Sequence, residues 1–211
     1  MTTEDAAREA IAHHGRSLFE RGLVPGSSGN LSVRLADGLL VTPTNSCLGR
    51  LDPARVSRLD PEGKHVAGDP PSKEAFLHLA VYRAREKAGA IVHLHSTHAV
   101  ALSCLDDTNP QDALPPLTPY SVMKLGRVPL VPYHRPGDRA LAEAVGRLAR
   151  EHHALLLANH GPVVAGGDLD AAVNGIEELE EAAKLTLLLR GAKVRLLTDE
   201  QVRALCEAFG S

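Results

Sequence analysis

His93-Leu94-His95 is where side-chain chemistry first concentrates in this 211-residue chain. The pair closes an apolar run over 90–95 that reads as a buried strand. Residues two apart on a strand point to one face, so both imidazoles can converge on a single ion. Taken alone, an H-x-H is more often a structural or surface feature. A second apolar run, 154–158, delivers His160 beside Gly161, whose bare backbone permits close approach. Three imidazoles around one open position describe a catalytic zinc site. Glu74 stands at an expected helix start, where the dipole favours its anion. It can be a fourth ligand and proton carrier, or an ordinary N-terminal glutamate.

Three turns, Gly29-Asn30, Thr44-Asn45 and Ser72-Lys73, offer backbone N–H groups, hydroxyls, an amide and one ammonium. These are the ingredients of a phosphate pocket built without a Walker loop. Gly, Asn and Ser also dominate ordinary turns, and that reading stands beside the first. Of the other histidines, His98 follows the pair by three residues and can support a ligand. His13, His14, His152 and His153 fall on expected helix ends or surfaces. His65, His78 and His134 have no partner at ligand spacing and read as solvated or structural. Lys124 is a candidate charge near a substrate carboxylate or phosphate, or else a surface lysine.

The elements that must carry these groups alternate between helix and strand. Helical periodicity runs from Ala6 to Phe19 and stops near Gly22. Alternation from Leu31, with Asp37-Gly38 as the turn, predicts a hairpin, and 55–59 with 65–66 predicts a second. Ser72 is expected to cap a helix over 73–87. Strand 90–95, a short helix over 98–105, a Pro- and Asp-rich loop over 106–119, strand 128–132 and helix 138–150 follow. Strand 154–158 runs into Asn159-His160-Gly161-Pro162, and 163–165 continues the sheet. The helix over 169–190 is expected to carry a Glu180/Lys184 pair, and Thr198 with Gln201 forms a capping box for the last helix. With no repeat, linker or composition shift, this is one α/β or α+β domain over 1–211.

Composition narrows the function classes. Hydrophobic residues at 44% and charged residues at 23% exclude a disordered tail or a rod. A net charge of −3 leaves no global basic field, so neither nucleic acid nor an anionic membrane is an expected partner. Three Phe, three Tyr and no Trp set against 11 His favour metal or acid/base chemistry over base stacking. Cys47, Cys104 and Cys206 show no C-x-x-C spacing, which argues against a zinc ribbon or disulfide framework and predicts small core residues. The N-terminal stretch is acidic and no apolar run approaches the ~18 residues of a membrane span, so the expectation is a cytoplasmic protein.

The stretches Gly26-Ser27-Ser28-Gly29-Asn30-Leu31-Ser32, Thr42-Pro43-Thr44, Ser72-Lys73-Glu74, His93-Leu94-His95-Ser96 and Asn159-His160-Gly161, in that order, resemble the class II aldolase/adducin family. Together they span nearly the whole chain, and the combination is specific although no member is. The resemblance implies a three-layer α/β/α sandwich around a mostly antiparallel sheet. It also implies a fourfold homotetramer with sites between subunits and one Zn2+, or another divalent ion, per subunit. His93, His95, His160 and Glu74 would hold the metal, Glu74 doubling as the acid/base. Gly29, Asn30, Thr44, Asn45, Ser72 and Lys73 would line the phosphate site, and Tyr120 matches a tyrosine contributed by a neighbouring subunit. Two departures alter the pocket: Lys73 stands where the aldolases carry a second serine, and Asn45 where they carry glycine.

The wording of 94–105, 115–124, 130–138 and 156–166 is most similar to the branch that decarboxylates 3-oxo-tetronate 4-phosphate to dihydroxyacetone phosphate and CO2, through a metal-bound enediolate, in four-carbon acid sugar catabolism. Fuculose 1-phosphate aldolases form a more distant branch and make the same enediolate by releasing an aldehyde. The metal site by itself therefore does not separate the two reactions. A non-catalytic adducin-like module is the third reading, disfavoured by the presence of all three histidines and Glu74.

Overall fold

The computed structural model describes residues 3–135 and 137–209, so Thr2 of the acidic N-terminal stretch and Pro136 of the 130–138 motif lie outside it. Strands β1 (Asn30–Leu35), β2 (Gly38–Val41), β3 (Ser57–Leu59), β4 (His65–Ala67), β5 (Ala90–His93), β6 (Leu130–Val131), β7 (Ala154–Leu157) and β8 (Gly161–Gly166) form one eight-stranded sheet. Its order is β4-β3-β2-β1-β5-β8-β7-β6. Every neighbouring pair is antiparallel except β6 with β7. Seven helices pack around it: α1 (Thr3–Glu20), α2 (Ala75–Ala84), α3 (Thr97–Ser103), α4 (Pro119–Leu125), α5 (Arg139–Leu148), α6 (Leu169–Leu188) and α7 (Asp199–Phe209).

Alternation along the central strands shows why the sheet takes a layer on each side. Ala90 and Val92 of β5 join a core with α1, α3 and α6, whereas Ile91 between them joins a second core with α2 and α5. In β7, Ala154 and Leu156 face the first layer and Leu155 and Leu157 the second. Successive side chains on a strand point to opposite faces, so a strand apolar at every position must be covered twice. The result is the expected three-layer α/β/α sandwich. Truncating a fully buried leucine such as Leu77 or Leu156 costs about 2–5 kcal/mol in cores of this kind.

Several local expectations shift. The first hairpin turns on Ala36 and Asp37, because Gly38 already pairs with Leu35. β5 ends at His93, leaving His95 in the connection to α3. The helix expected over 73–87 is shorter, Ala75–Ala84, with Glu74 rather than Ser72 at its N-cap and no side-chain capping bond there. Pro43 bridges to Pro71, while Thr44 N and Ser72 N donate to Pro70 O and Thr42 O, so 70–72 is still extended backbone and Lys73-Glu74 form a turn into α2. None of the cysteines is in the core: Cys47 and Cys206 are half-buried and Cys104 is exposed. The capping box is as expected, with Thr198 N donating to Gln201 Oε1 and Gln201 N to Thr198 Oγ1. Among the described residues no helix is long and apolar enough to cross a membrane.

The β7–β8 connection is a three-residue turn, since Leu157 pairs with Gly161. Asn159 adopts φ 56° there, a conformation asparagine tolerates better than most residues. Gly161 has φ +153°, and a Cβ on it would overlap the Leu94 carbonyl oxygen in the segment between the two histidines. Gly161→Ala is therefore expected to destabilise the fold by at least about 2 kcal/mol, read as a lower urea midpoint by circular dichroism. A variant with the wild-type midpoint would show that this backbone approach is not needed.

Candidate metal centre

One end of the sheet collects the chemistry. β1 begins and β5 ends there, with Asn30 paired to His93, and His93 pairs on its other side with Val163 of β8. The β7–β8 turn supplies His160, the chain leaving β5 supplies His95, and the N-cap of α2 supplies Glu74. Glu74, His93, His95 and His160 each offer a ligand atom, and these atoms all lie within 4.8 Å of one another. His93 is fully buried, and the side chains of Glu74 and His160 are 15% and 12% exposed, which leaves the group open on one side.

The donor set fits a divalent ion. His93 Nδ1 donates to Pro162 O at 2.8 Å, which fixes the neutral tautomer and leaves Nε2 as a bare lone pair. That nitrogen lies 3.2 Å from His95 Nε2 and 3.4 Å from Glu74 Oε2, while Glu74 Oε1 lies 3.2 Å from His160 Nε2. Tetrahedral coordination with bonds of about 2.1 Å places ligand atoms about 3.4 Å apart. Two ring nitrogens at this separation repel unless they share a cation or a proton. Burial and the neighbouring His93 and His160 push the His95 pKa down to about 4, keeping it a neutral ligand. Burial raises the Glu74 carboxyl, but the contacts from His160, His93 and Asn30 outweigh it and hold Glu74 well below the usual carboxylate range.

The three turns gather at the same end. Thr42 Oγ1 accepts from Leu31 N, tying β2 to the start of β1, and the 42–44 and 70–72 backbones are hydrogen-bonded to each other. Gly29, at φ +75°, lies against the His93 backbone, where a Cβ would come within 3.0 Å of the carbonyl oxygen. Asn45 stands at φ 55°, a left-handed conformation that asparagine tolerates better than most residues. With Thr44 it lines an open cavity of about 510 Å3, together with Gly26, Ser27, Arg50 and Arg55. Ser72 Oγ accepts from Glu74 N at 3.2 Å, and Lys73 is exposed beside it. Asn30, by contrast, is buried, with its amide committed to Glu74 and His78.

Other candidates fall elsewhere. Tyr120 is 63% exposed on α4, which packs on α6 and α7 and not on the strands that carry the donors. Lys124 lies beside it and pairs with Glu178 at 3.5 Å. His98 does not support a metal donor: its Nδ1 lies 2.7 Å from Glu180 Oε1. Glu180 in turn is buried and does not pair with Lys184, which reaches Glu181. Ser96 makes no capping bond for α3, so Glu180 reaches across from α6 and accepts from His98 N and Ala99 N, both at 2.9 Å. This clamps the helix that directly follows His95.

The sequence reading missed Glu180 in this role, and it also missed His78, Ser32 and Tyr82. His78 is fully buried and bonded at both nitrogens. A usable signal was present: Glu74, His78 and Tyr82 recur every four residues, and Asn30 and Ser32 alternate on β1.

Comparison with known proteins places this site in context. Residues 9–187 match the family described as Class II Aldolase and Adducin N-terminal domain. The chain is similar to the 3-oxo-tetronate 4-phosphate decarboxylase of Pectobacterium atrosepticum, with 51% identity covering 97% of this chain and 94% of the relative. It is less similar to the L-fuculose phosphate aldolase of Haemophilus influenzae, at 37% identity over 91% and 88% of the two chains. Among solved structures, that of YgbL from Escherichia coli, described as a putative aldolase/epimerase/decarboxylase, superimposes with a TM-score of 0.95 at 48% identity, covering 97% of this chain and 99% of that one.

Two expectations follow. Chelator treatment should lower the melting temperature and added Zn2+ should restore it, because an ion bound only to the folded state stabilises it by mass action. His93→Ala should bind almost no metal by elemental analysis, and a variant with full metal content would remove this centre. The second concerns Glu180, which burial raises. The His98 N–H, the nearby Ser96 hydroxyl and the Ala99 N–H more than offset that, leaving the pKa lowered. Its contribution is thus present above the unfolded glutamate value of about 4.3 and is lost as pH falls through the folded value. Glu180→Gln should cost about 1–3 kcal/mol at neutral pH and flatten the loss of stability on acidification. Parallel stability curves for variant and wild type would refute it.

Proposed function

The chain belongs to the class II aldolase and adducin family, and on that premise we propose that it decarboxylates 3-oxo-tetronate 4-phosphate to dihydroxyacetone phosphate and CO2. The observation that carries this reading is the complete Glu74–His93–His95–His160 group in a chain half identical, over nearly its whole length, to such a decarboxylase. The fuculose phosphate aldolases are more distant relatives, and the aldolase reaction is the alternative.

The proposal extends to the details. Zn2+ would be the ion suited to this set, held by His93, His95 and His160 with Glu74 able to join or leave it, one per subunit. When bound, such an ion supplies Lewis-acid chemistry to the oxygens at C2 and C3 of the substrate. His93, locked by Pro162 O, and His95, anchored by the α3 clamp, hold their nitrogens in place for it. Breaking the C1–C2 bond releases CO2 and leaves its electron pair on the C2 side, so one proton must arrive at C2. Glu74, ionised at rest, would relay that proton from water at the open side of the group to C2. The phosphate is a handle that holds the labile bond in position. Thr44, Asn45, Ser72 and Lys73 surround it, Lys73 adding a charge that the aldolases lack, while Gly29 and Asn30 shape the pocket from behind. A single domain over 1–211, a cytoplasmic location and a homotetramer in which Tyr120 reaches a neighbouring site complete the reading.

The test is incubation with 3-oxo-tetronate 4-phosphate of each C2 configuration, generated in situ. One epimer should release equimolar CO2 and dihydroxyacetone phosphate. His95→Ala should abolish turnover, and Lys73→Ala should raise KM by about 10-fold with a smaller change in kcat. No CO2 from either epimer, together with aldehyde release from fuculose 1-phosphate, would establish the aldolase reaction instead.

A further inference from the structure

β1 and α2 meet along a buried polar seam inside an otherwise apolar layer. Asn30, Ser32 and Arg34 lie on one face of β1, and Glu74, His78 and Tyr82 lie on the facing stripe of α2. Asn30 Nδ2 is 2.8 Å from Glu74 Oε2, and Asn30 Oδ1 is 2.5 Å from His78 Nε2. His78 Nδ1 is 2.6 Å from Ser32 Oγ, which is 2.9 Å from the Tyr82 hydroxyl. Arg34 closes the far end, its guanidinium 4.5 Å from the Tyr82 ring centre and donating to Tyr82 O at 2.8 Å.

The direction of every bond follows from its last acceptor. An ionised carboxylate only accepts, so Asn30 must present its NH2 to Glu74 and its oxygen to His78. His78 Nε2 must then carry a hydrogen. His78 is fully buried and its two ring nitrogens meet only the Asn30 amide oxygen and the Ser32 hydroxyl, with no carboxylate bonded to either to balance a charge, so the ring is neutral and Nδ1 is bare. Ser32 therefore donates to Nδ1, and its oxygen is free to accept from Tyr82, whose hydroxyl burial keeps protonated. Four hydrogen bonds run one way and end on Glu74. With an apolar residue in place of His78, the Asn30 oxygen would be buried without a partner. The amide could then turn that oxygen toward the carboxylate, which repels it.

We propose that His78 is a positioning residue for the reaction: it fixes which end of the Asn30 amide faces Glu74 and so holds the proton-carrying carboxylate in its working orientation. This rests on the decarboxylase reading of Glu74. His78→Leu, which removes both bonds at similar bulk, should lower kcat about 10–100-fold with KM changed less than about 3-fold. His78→Gln, which keeps one donor and one acceptor, should recover most of the loss. Independently, 15N-resolved NMR of histidine-labelled wild-type protein should show His78 as the Nε2–H tautomer from mildly acidic to mildly alkaline buffer. The proposal is overturned by a Leu variant with kcat within about 2-fold of wild type. Equal losses in well-folded Leu and Gln variants, or a hydrogen on Nδ1, would overturn it as well. If the wild type itself releases no CO2, the reaction reading has failed, and the tautomer still decides the order of the hydrogen bonds.

Discussion

Crowding at the sheet end is the constraint on which the rest of the structure depends. Three imidazoles and a carboxylate stand within 4.8 Å, two of the ring nitrogens only 3.2 Å apart. Such a group is unfavourable until a cation joins it, so the scaffold must hold the donors together against their own repulsion. It does so by drawing them from constrained backbone: the end of β5 and the segment just after it, the tight β7–β8 turn, and the N-cap of α2. β5 is paired on both edges and covered on both faces, which leaves His93 no freedom to retreat.

Three of the four donors are also steered by a second contact that is not itself a ligand. Pro162 O selects the His93 tautomer, Glu180 anchors the helix after His95, and Asn30 holds one oxygen of Glu74. These contacts come from β8, α6 and β1, so the geometry of one small site is distributed over most of the fold. That dependence accounts for buried polar residues in layers that are otherwise aliphatic. A histidine, a serine and a tyrosine between β1 and α2 cost desolvation that leucines would not, and hydrogen bonding at every position offsets it.

The neighbouring edge over 42–45 and 70–74 is built on different principles. Segments 42–44 and 70–72 are stitched together by backbone hydrogen bonds, and each runs into a turn, Thr44-Asn45 on one side and Lys73-Glu74 at the start of α2 on the other. Asn45 holds a left-handed conformation in this loop, which asparagine tolerates better than most residues. Lys73 remains exposed at the rim beside Ser72, introducing charge without disturbing the buried seam behind it.

What the sequence determined by itself was local or periodic. The continuous apolar runs 90–93 and 154–157 specified buried strands, and the second ran directly into Asn159-His160-Gly161, delivering an imidazole at its end. His93, His95, His160 and Glu74 stood out because residue type and spacing express ligand chemistry directly. The tertiary structure alone decided which polar residues meet across elements. His78 had no partner at ligand spacing because its partners, Ser32 and Asn30, lie 46 and 48 residues away on a strand. Glu180 matched an i,i+4 pair with Lys184, yet it turns inward to the uncapped N–H groups of α3, 81 residues distant, because an unsatisfied buried donor costs more than a solvated ion pair returns. Helix and strand periods are written along the chain, but contacts between a strand face and a helix face depend on register and packing, which exist only once the layers have closed.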